Sequence, residues 1–173
     1  MNQEFFEEMK RFFGDEGLSI AQEEQREDEW SLSTALVGIE DGPKEKISVT
    51  FKTKLEYLFV TIRLAYPVQS LKSSQILKIL NRPNYLQTNG CFFLNESTNT
   101  VDLSCGFFLN GCERDAGIFA RTFGTLQNLA ETYFPSIHAY LNGKKNENEV
   151  YDLIQTIAVG VITYENQKQQ TWN

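Results

Sequence analysis

The stretch that decides the fold is GCFFLNESTNTVDLSCGFFLNG, residues 90–111. Two apolar-rich runs, Cys91–Asn95 and Thr100–Leu109, flank the polar loop Glu96-Ser97-Thr98-Asn99, the composition of a β-hairpin. Pairing Leu94 with Val101 and Phe92 with Leu103 puts apolar side chains together and extends that face to Cys105, Phe107 and Leu109. Phe93 and Phe108 then point the other way. Upstream stands the helix-like run SSQILKILN (73–81), with Ser70 or Ser73 as its cap, followed by RPNYLQTNG (82–90). Pro83 sets the expected end of that helix near Asn81.

Further towards the N-terminus, three strands are expected: Trp30–Ile39, Lys46–Lys54 and Tyr57–Ala65. Glu40-Asp41-Gly42-Pro43 joins the first two with strong turn chemistry. In the middle strand Ile47, Val49, Phe51 and Leu55 fall on one side, and Lys44, Lys46, Ser48, Thr50, Lys52 and Lys54 on the other. The third strand lines one face with Leu58, Val60, Ile62 and Leu64, and carries Tyr57 and Phe59 on the opposite one.

The helical period is plain at both ends. Phe5, Phe6, Met9, Phe12 and Phe13 recur at three-and-four spacing. Burying those five side chains contributes on the order of 10 kcal/mol as an upper bound. After Gly111, a stripe of Ile118, Phe119, Phe123, Leu126, Leu129, Ala130, Tyr133 and Phe134 runs to Pro135, which should kink or end it before a short helix, Ser136–Leu141. A last helix carries Val150, Leu153, Ile154, Ile157, Ala158, Val161 and Ile162. The expected fold is therefore α+β: a five-stranded antiparallel sheet in the order α-βββ-α-ββ-α, with an extra C-terminal helix. Residues 1–165 should form a single domain and 166–173 a frayed tail.

A chain of 173 residues, 41% hydrophobic and 23% charged, is long enough for one core and ordinary for a globular domain. No apolar run approaches the roughly 20 residues that cross a bilayer, and the start, MNQEFFEEMK, does not read as a signal peptide. A soluble, cytoplasmic protein without membrane contact is the expectation. Cys91, Cys105 and Cys112 have no CxxC spacing and read as thiols. The net charge of −7 is concentrated: residues 1–30 carry ten acids against Lys10, Arg11 and Arg26, and the remainder is balanced. Within that region QEEQREDE (22–29) reads as a solvated connector or helix end. Nucleic acid is a poor partner for such a chain, because phosphate binding needs a basic surface.

The chain resembles the bacterial YbjN-like proteins, whose fold is that of the type III secretion chaperones. The resemblance rests on ILKILNRPNYLQTNGCFFLN (76–95): Leu80-Asn81, Asn84, Gly90 and Phe92 stand where that group has its leucine-asparagine helix end and glycine-x-phenylalanine strand start. Element order matches over residues 1–142, and the helix from Glu147 to Tyr164 lies beyond the common core. The resemblance implies a small acidic homodimer without a catalytic centre that holds a segment of a partner protein or acts in regulation. The residues themselves allow a local reading of the motif, with Asn81 and Asn84 closing the helix end and Gly90 freeing the backbone before the strand.

Candidate functional residues are few. Tyr57, Phe59, Phe93 and Phe108 fall opposite the main core stripe and form the expected partner or dimer surface, unless the C-terminal helix or a dimer mate simply covers them. Lys44, Lys46, Lys52 and Lys54 make a basic row able to receive an acidic peptide, a phosphate backbone or the chain's own Glu23–Glu29, although such rows mostly remain solvated. His138 is the sole histidine, which excludes any site needing two imidazoles from one subunit. Cys105 and Cys112 sit among apolar neighbours and read as inert. Asp102, Glu113 and Asp115 have no spacing that brings them together, and no glycine-rich phosphate loop occurs. No catalytic, metal or cofactor-binding residue is assigned. The leading expectation is a non-enzymatic, homodimeric protein-binding module, chaperone-like or regulatory; the alternative is a small-ligand-binding regulatory or sensory protein.

Overall fold

Residue patterning in the computed structural model, which describes residues 2–38, 43–69, 72–86, 90–109 and 116–157, resolves into an antiparallel sheet with helices packed on one face. In chain order the elements are α1 (Asn2–Asp15), β1 (Ile20–Gln25), β2 (Glu29–Thr34), β3 (Val37–Gly38), β4 (Lys44–Lys52), β5 (Tyr57–Leu64), α2 (Ser73–Leu86), β6 (Cys91–Asn95), β7 (Thr100–Phe108) and α3 (Ala116–Leu141). A further helix, α4, spans 147–157. The strands lie in the order β1-β2-β4-β5-β7-β6, with the short β3 also paired to β4.

The α+β class and the antiparallel sheet agree with the sequence reading, but the strand count is seven rather than five. The missing strand is β1, drawn largely from the acidic stretch expected to be a connector or helix end. Five of its six residues are exposed, so neither face needs apolar side chains and no alternation marks it. Its charges suit an edge strand, where they discourage pairing with another chain. The expected first strand divides into β2 and β3, and Ile39 and its turn, 39–42, lie outside the described residues. Leu55, expected on the core face, is 60% exposed, because β4 ends at Lys52 and the chain reverses through Glu56 at φ 49°.

The inner sheet face carries Ile47, Val49, Phe51, Leu58, Val60, Ile62, Leu64, Val101 and Leu103, all buried. Against β2 and β4 sits α1, through Phe6–Trp30 and Phe5–Phe51 edge contacts at 5.3 and 5.8 Å. Helix α3 crosses β5 and β7, and Phe12 and Phe13 of α1 interlock with its Phe119 and Phe123.

Two prolines, Pro83 expected to end its helix and Pro135 to kink or end its own, lie inside helices. α3 runs unbroken through Pro135, which is exposed while its neighbours Tyr133, Phe134, Ser136 and Ile137 are buried. α2 continues past Asn81 through the buried Pro83 to Leu86. That extra turn carries Asn84 onto the edge of the sheet. Its side-chain amide donates to the Phe92 carbonyl at 2.7 Å and its carbonyl accepts the Phe92 N–H at 2.7 Å. Asn84 therefore does not cap its own helix; it occupies the open backbone edge of β6 as a neighbouring strand would. Gly90 just before β6 is fixed by space and backbone together: its φ is +115°, and a Cβ there would stand 2.9 Å from the Leu126 side chain.

One inward-facing residue is out of character. Glu45 of β4 is half-buried near Glu131, and its carboxyl is pushed up to about 7, chiefly by burial and further by that second carboxylate. The folded value lies above the ordinary 4.5, so charging Glu45 opposes folding. The contribution of Glu45 to stability is therefore fully present below that ordinary value and is lost as pH rises through about 7. After allowance for solvent screening, the loss is on the order of 1 kcal/mol. Urea unfolding at pH 5 and pH 8 should show this decline in the wild type and a flatter profile in Glu45→Gln. Equal slopes for the two proteins would remove Glu45 as its source.

Candidate functional site

With α1, α2 and α3 on the inner face, the register places a second set of residues on the outer face. From β5 come Tyr57, Phe59, Thr61 and Arg63, opposite Phe108, Gly106, Ser104 and Asp102 of β7. β4 adds Lys46, Ser48, Thr50 and Lys52, and β6 adds Cys91, Phe93 and Asn95. No helix packs on this face among the described residues.

Three of the four expected surface aromatics meet at one end. The rings of Tyr57 and Phe108 contact edge-on at 4.8 Å, and Tyr57 stacks beside Phe59 at 6.5 Å. Phe108 is 59% exposed, while Tyr57 and Phe59 are half-buried. Gly106 makes the arrangement possible, since a Cβ there would collide with the Tyr57 ring and crowd Phe59. A glycine inside a strand is a sequence sign of such close approach. Phe93 shares the face but stands apart: it pairs with Asp102, four residues along β7 from Gly106, or about 13 Å at strand rise. The described part of the C-terminal helix does not cover this surface. Val150 and Ile154 of α4 are buried in the core, and Tyr151 meets Arg82 of α2 through a hydroxyl hydrogen bond and a ring contact at 4.4 Å.

The middle of the outer face is polar and fixed. Arg63 donates from Nε and Nη2 to the two carboxylate oxygens of Asp102, both at 2.8 Å. Asn95 and Thr100 donate to the same carboxylate at 2.9 and 3.1 Å. The hydrogen-bonded carboxylate raises the Arg63 pKa above its ordinary value. Alternation could place Arg63 on this face; pairing it with Asp102 required the β5–β7 register, which spans 39 residues of sequence. Asp102 thus belongs to an ion pair, while Glu113 and Asp115 lie outside the described residues.

The basic row divides. Lys54 falls beyond the strand and pairs with Asp28 at 2.7 Å, in the turn between β1 and β2. The acidic segment thus meets this row at Lys54, and its own strand pairs with β2. Lys44 and Lys52 are exposed, and Lys46 is half-buried in a groove of about 210 Å³ between β2 and β4. His138 packs edge-on against Tyr66 at 4.9 Å, and burial, helped by Lys144, lowers its pKa. Burial raises the Cys105 thiol, which suits a packing role; Cys91 is exposed and Cys112 lies outside the described residues. No cluster of metal-ligating side chains and no helix long and apolar enough to cross a membrane occurs among the described residues.

No protein-family model matches the chain, and no curated protein matches it in sequence. Among solved structures, one chain of the crystal structure of the ExsC–ExsE complex is similar, with a TM-score of 0.50 and 14% identity. The match covers 77% of this chain and 92% of that one. By architecture the protein is of the α+β class, with helices on one face of an antiparallel sheet among the described residues, and it shares that fold with the matched chain. The likeness is one of fold, and nothing in it singles out the YbjN-like proteins.

Proposed function

We propose that the protein is a non-enzymatic, chaperone-like binding module that acts as a homodimer and holds a segment of a partner protein against the outer face of its sheet. The observation that carries this reading is the cluster of Tyr57, Phe59 and Phe108 on a sheet face free of helices among the described residues. Apolar rings displayed together on such a face gain by being covered. The crystal of the fold neighbour contains a complex, ExsC with ExsE, in keeping with a fold able to hold another chain.

Phe108→Glu tests the reading, because a side chain already 59% exposed at a strand end can be charged with little cost to folding, about 0.5 kcal/mol or less. The expected result is a protein that remains dimeric by light scattering and no longer retains the partner captured by wild type from its native host. If Phe108→Glu becomes monomeric while keeping that partner, the aromatic cluster serves assembly instead.

A second reading, a small-ligand-binding regulator, has one observation in its favour. Between α2 and α4 lies a cleft of about 620 Å³ lined by Lys78, Arg82, Tyr85 and Tyr151, within the usual size range of ligand sites. Thermal stabilisation by a metabolite, abolished in Arg82→Ala, would favour it.

A further inference from the structure

The groove beside Lys46 is built from Ser31 and Ser33 of β2, Ser48 and Thr50 of β4, and Arg63 of β5. Its polar groups are unevenly satisfied. The Ser33 hydroxyl is buried, the residue being 8% exposed, and has no hydrogen-bond partner. A buried polar group left unpaired is costly and uncommon, and Ser33 lines the groove without a partner of its own. Lys46 has no ion pair or hydrogen bond among the described residues. In register it stands directly opposite Arg63, and like charges in that relation repel. Asp102 neutralises Arg63 through Nε and Nη2, which leaves Lys46 as the unbalanced cation and Nη1 outside the fork. Glu24, the one carboxylate lining the groove, is engaged by Arg26 at 2.8 Å and Gln22 at 2.7 Å.

A cation with nearby hydroxyl donors and an orphaned hydroxyl is the chemistry of an oxyanion site. Volume narrows the ligand: about 210 Å³ is below the range of cofactor-sized pockets but accommodates a carboxylate-bearing side chain. Position narrows it further. Thr50 of the groove pairs directly with Phe59, so the site is continuous with the aromatic cluster. From Lys46 to Thr50 is four residues along β4, about 13 Å.

We infer that this groove receives the carboxylate of an acidic side chain in the held segment, four residues from an apolar side chain that rests on the Phe59 end. The inference rests on the proposed docking of a protein segment on this face and specifies its chemistry: an extended peptide with a Glu-x-x-x-Phe pattern. Lys46 makes the ion pair, and Ser and Thr hydroxyls donate to the carboxylate.

The test is titration of the isotope-labelled full chain with two acetylated, amidated peptides, Glu-Ser-Thr-Ser-Phe and Gln-Ser-Thr-Ser-Phe, followed by amide resonances of Ser31, Ser33 and Ser48. The expected result is saturable binding at least tenfold tighter for the Glu peptide, with that preference lost in Lys46→Met while the melting temperature is unchanged or raised. Equal affinity for both peptides overturns the carboxylate site; if Phe108→Glu then abolishes both, the aromatic docking still stands. A Glu preference that depends on Lys46 but survives Phe108→Glu upholds the site and removes the aromatic docking. Inorganic phosphate that outcompetes the Glu peptide at equal concentration overturns the assignment to a peptide.

Discussion

Asp102→Ala is expected to destabilise the protein by about 3 kcal/mol, the low end of the range for stranding one member of a buried ion pair, because Arg63 is only partly buried. Asp102 is only 1% exposed although it lies on the face without helices, because Arg63, Asn95 and Thr100 enclose it with four hydrogen bonds. Removing the carboxylate leaves the guanidinium partly buried beside Lys46, converting a neutralised site into two adjacent cations. For a chain of this length, the loss should lower the melting temperature by roughly 10 °C. Asp102→Asn keeps the shape and part of the hydrogen bonding, so it should cost less than alanine. Urea unfolding of both variants measures the difference, and a loss below about 1 kcal/mol for alanine would show that water replaces the carboxylate freely.

That ion pair also shows what was legible in the sequence. Within one element, period and turn chemistry sufficed: the hairpin of β6 and β7, the phenylalanine stripe of α1 and the outward placement of Tyr57, Phe59 and Phe108 all follow from alternation or helical spacing. What could not be read depended on a partner distant in the chain. β1 has no apolar face because, among the described residues, it is an edge strand paired with β2 alone. Pro83 and Pro135 look like stops, yet burial around each helix outweighs one missing hydrogen bond. Asn84 looks like a cap and proves to be a surrogate strand for Phe92. The four aromatics separated for the same reason: alternation gives the face but not the distance along it, and Phe93 lies far from the other three by register alone.

The second large effect is expected at Phe13, where truncation to alanine should cost about 3 to 5 kcal/mol. Phe13 is fully buried and lies 6.1 and 5.9 Å from the rings of Phe119 and Phe123, while Phe12 reaches the same two rings at 5.1 and 5.4 Å. These contacts join the first helix of the chain to α3, and α3 in turn packs on β5 and β7, the centre of the sheet. A cavity at Phe13 therefore opens inside the layer that holds the helices on one side. Phe12 is partly exposed, so Phe12→Ala should cost about half as much despite its shorter ring distances. That ordering separates burial from ring geometry as the source of stability. Should Phe12→Ala prove the more damaging of the two in urea unfolding, edge-on aromatic contact rather than exclusion of water would be what fastens α1 to the fold.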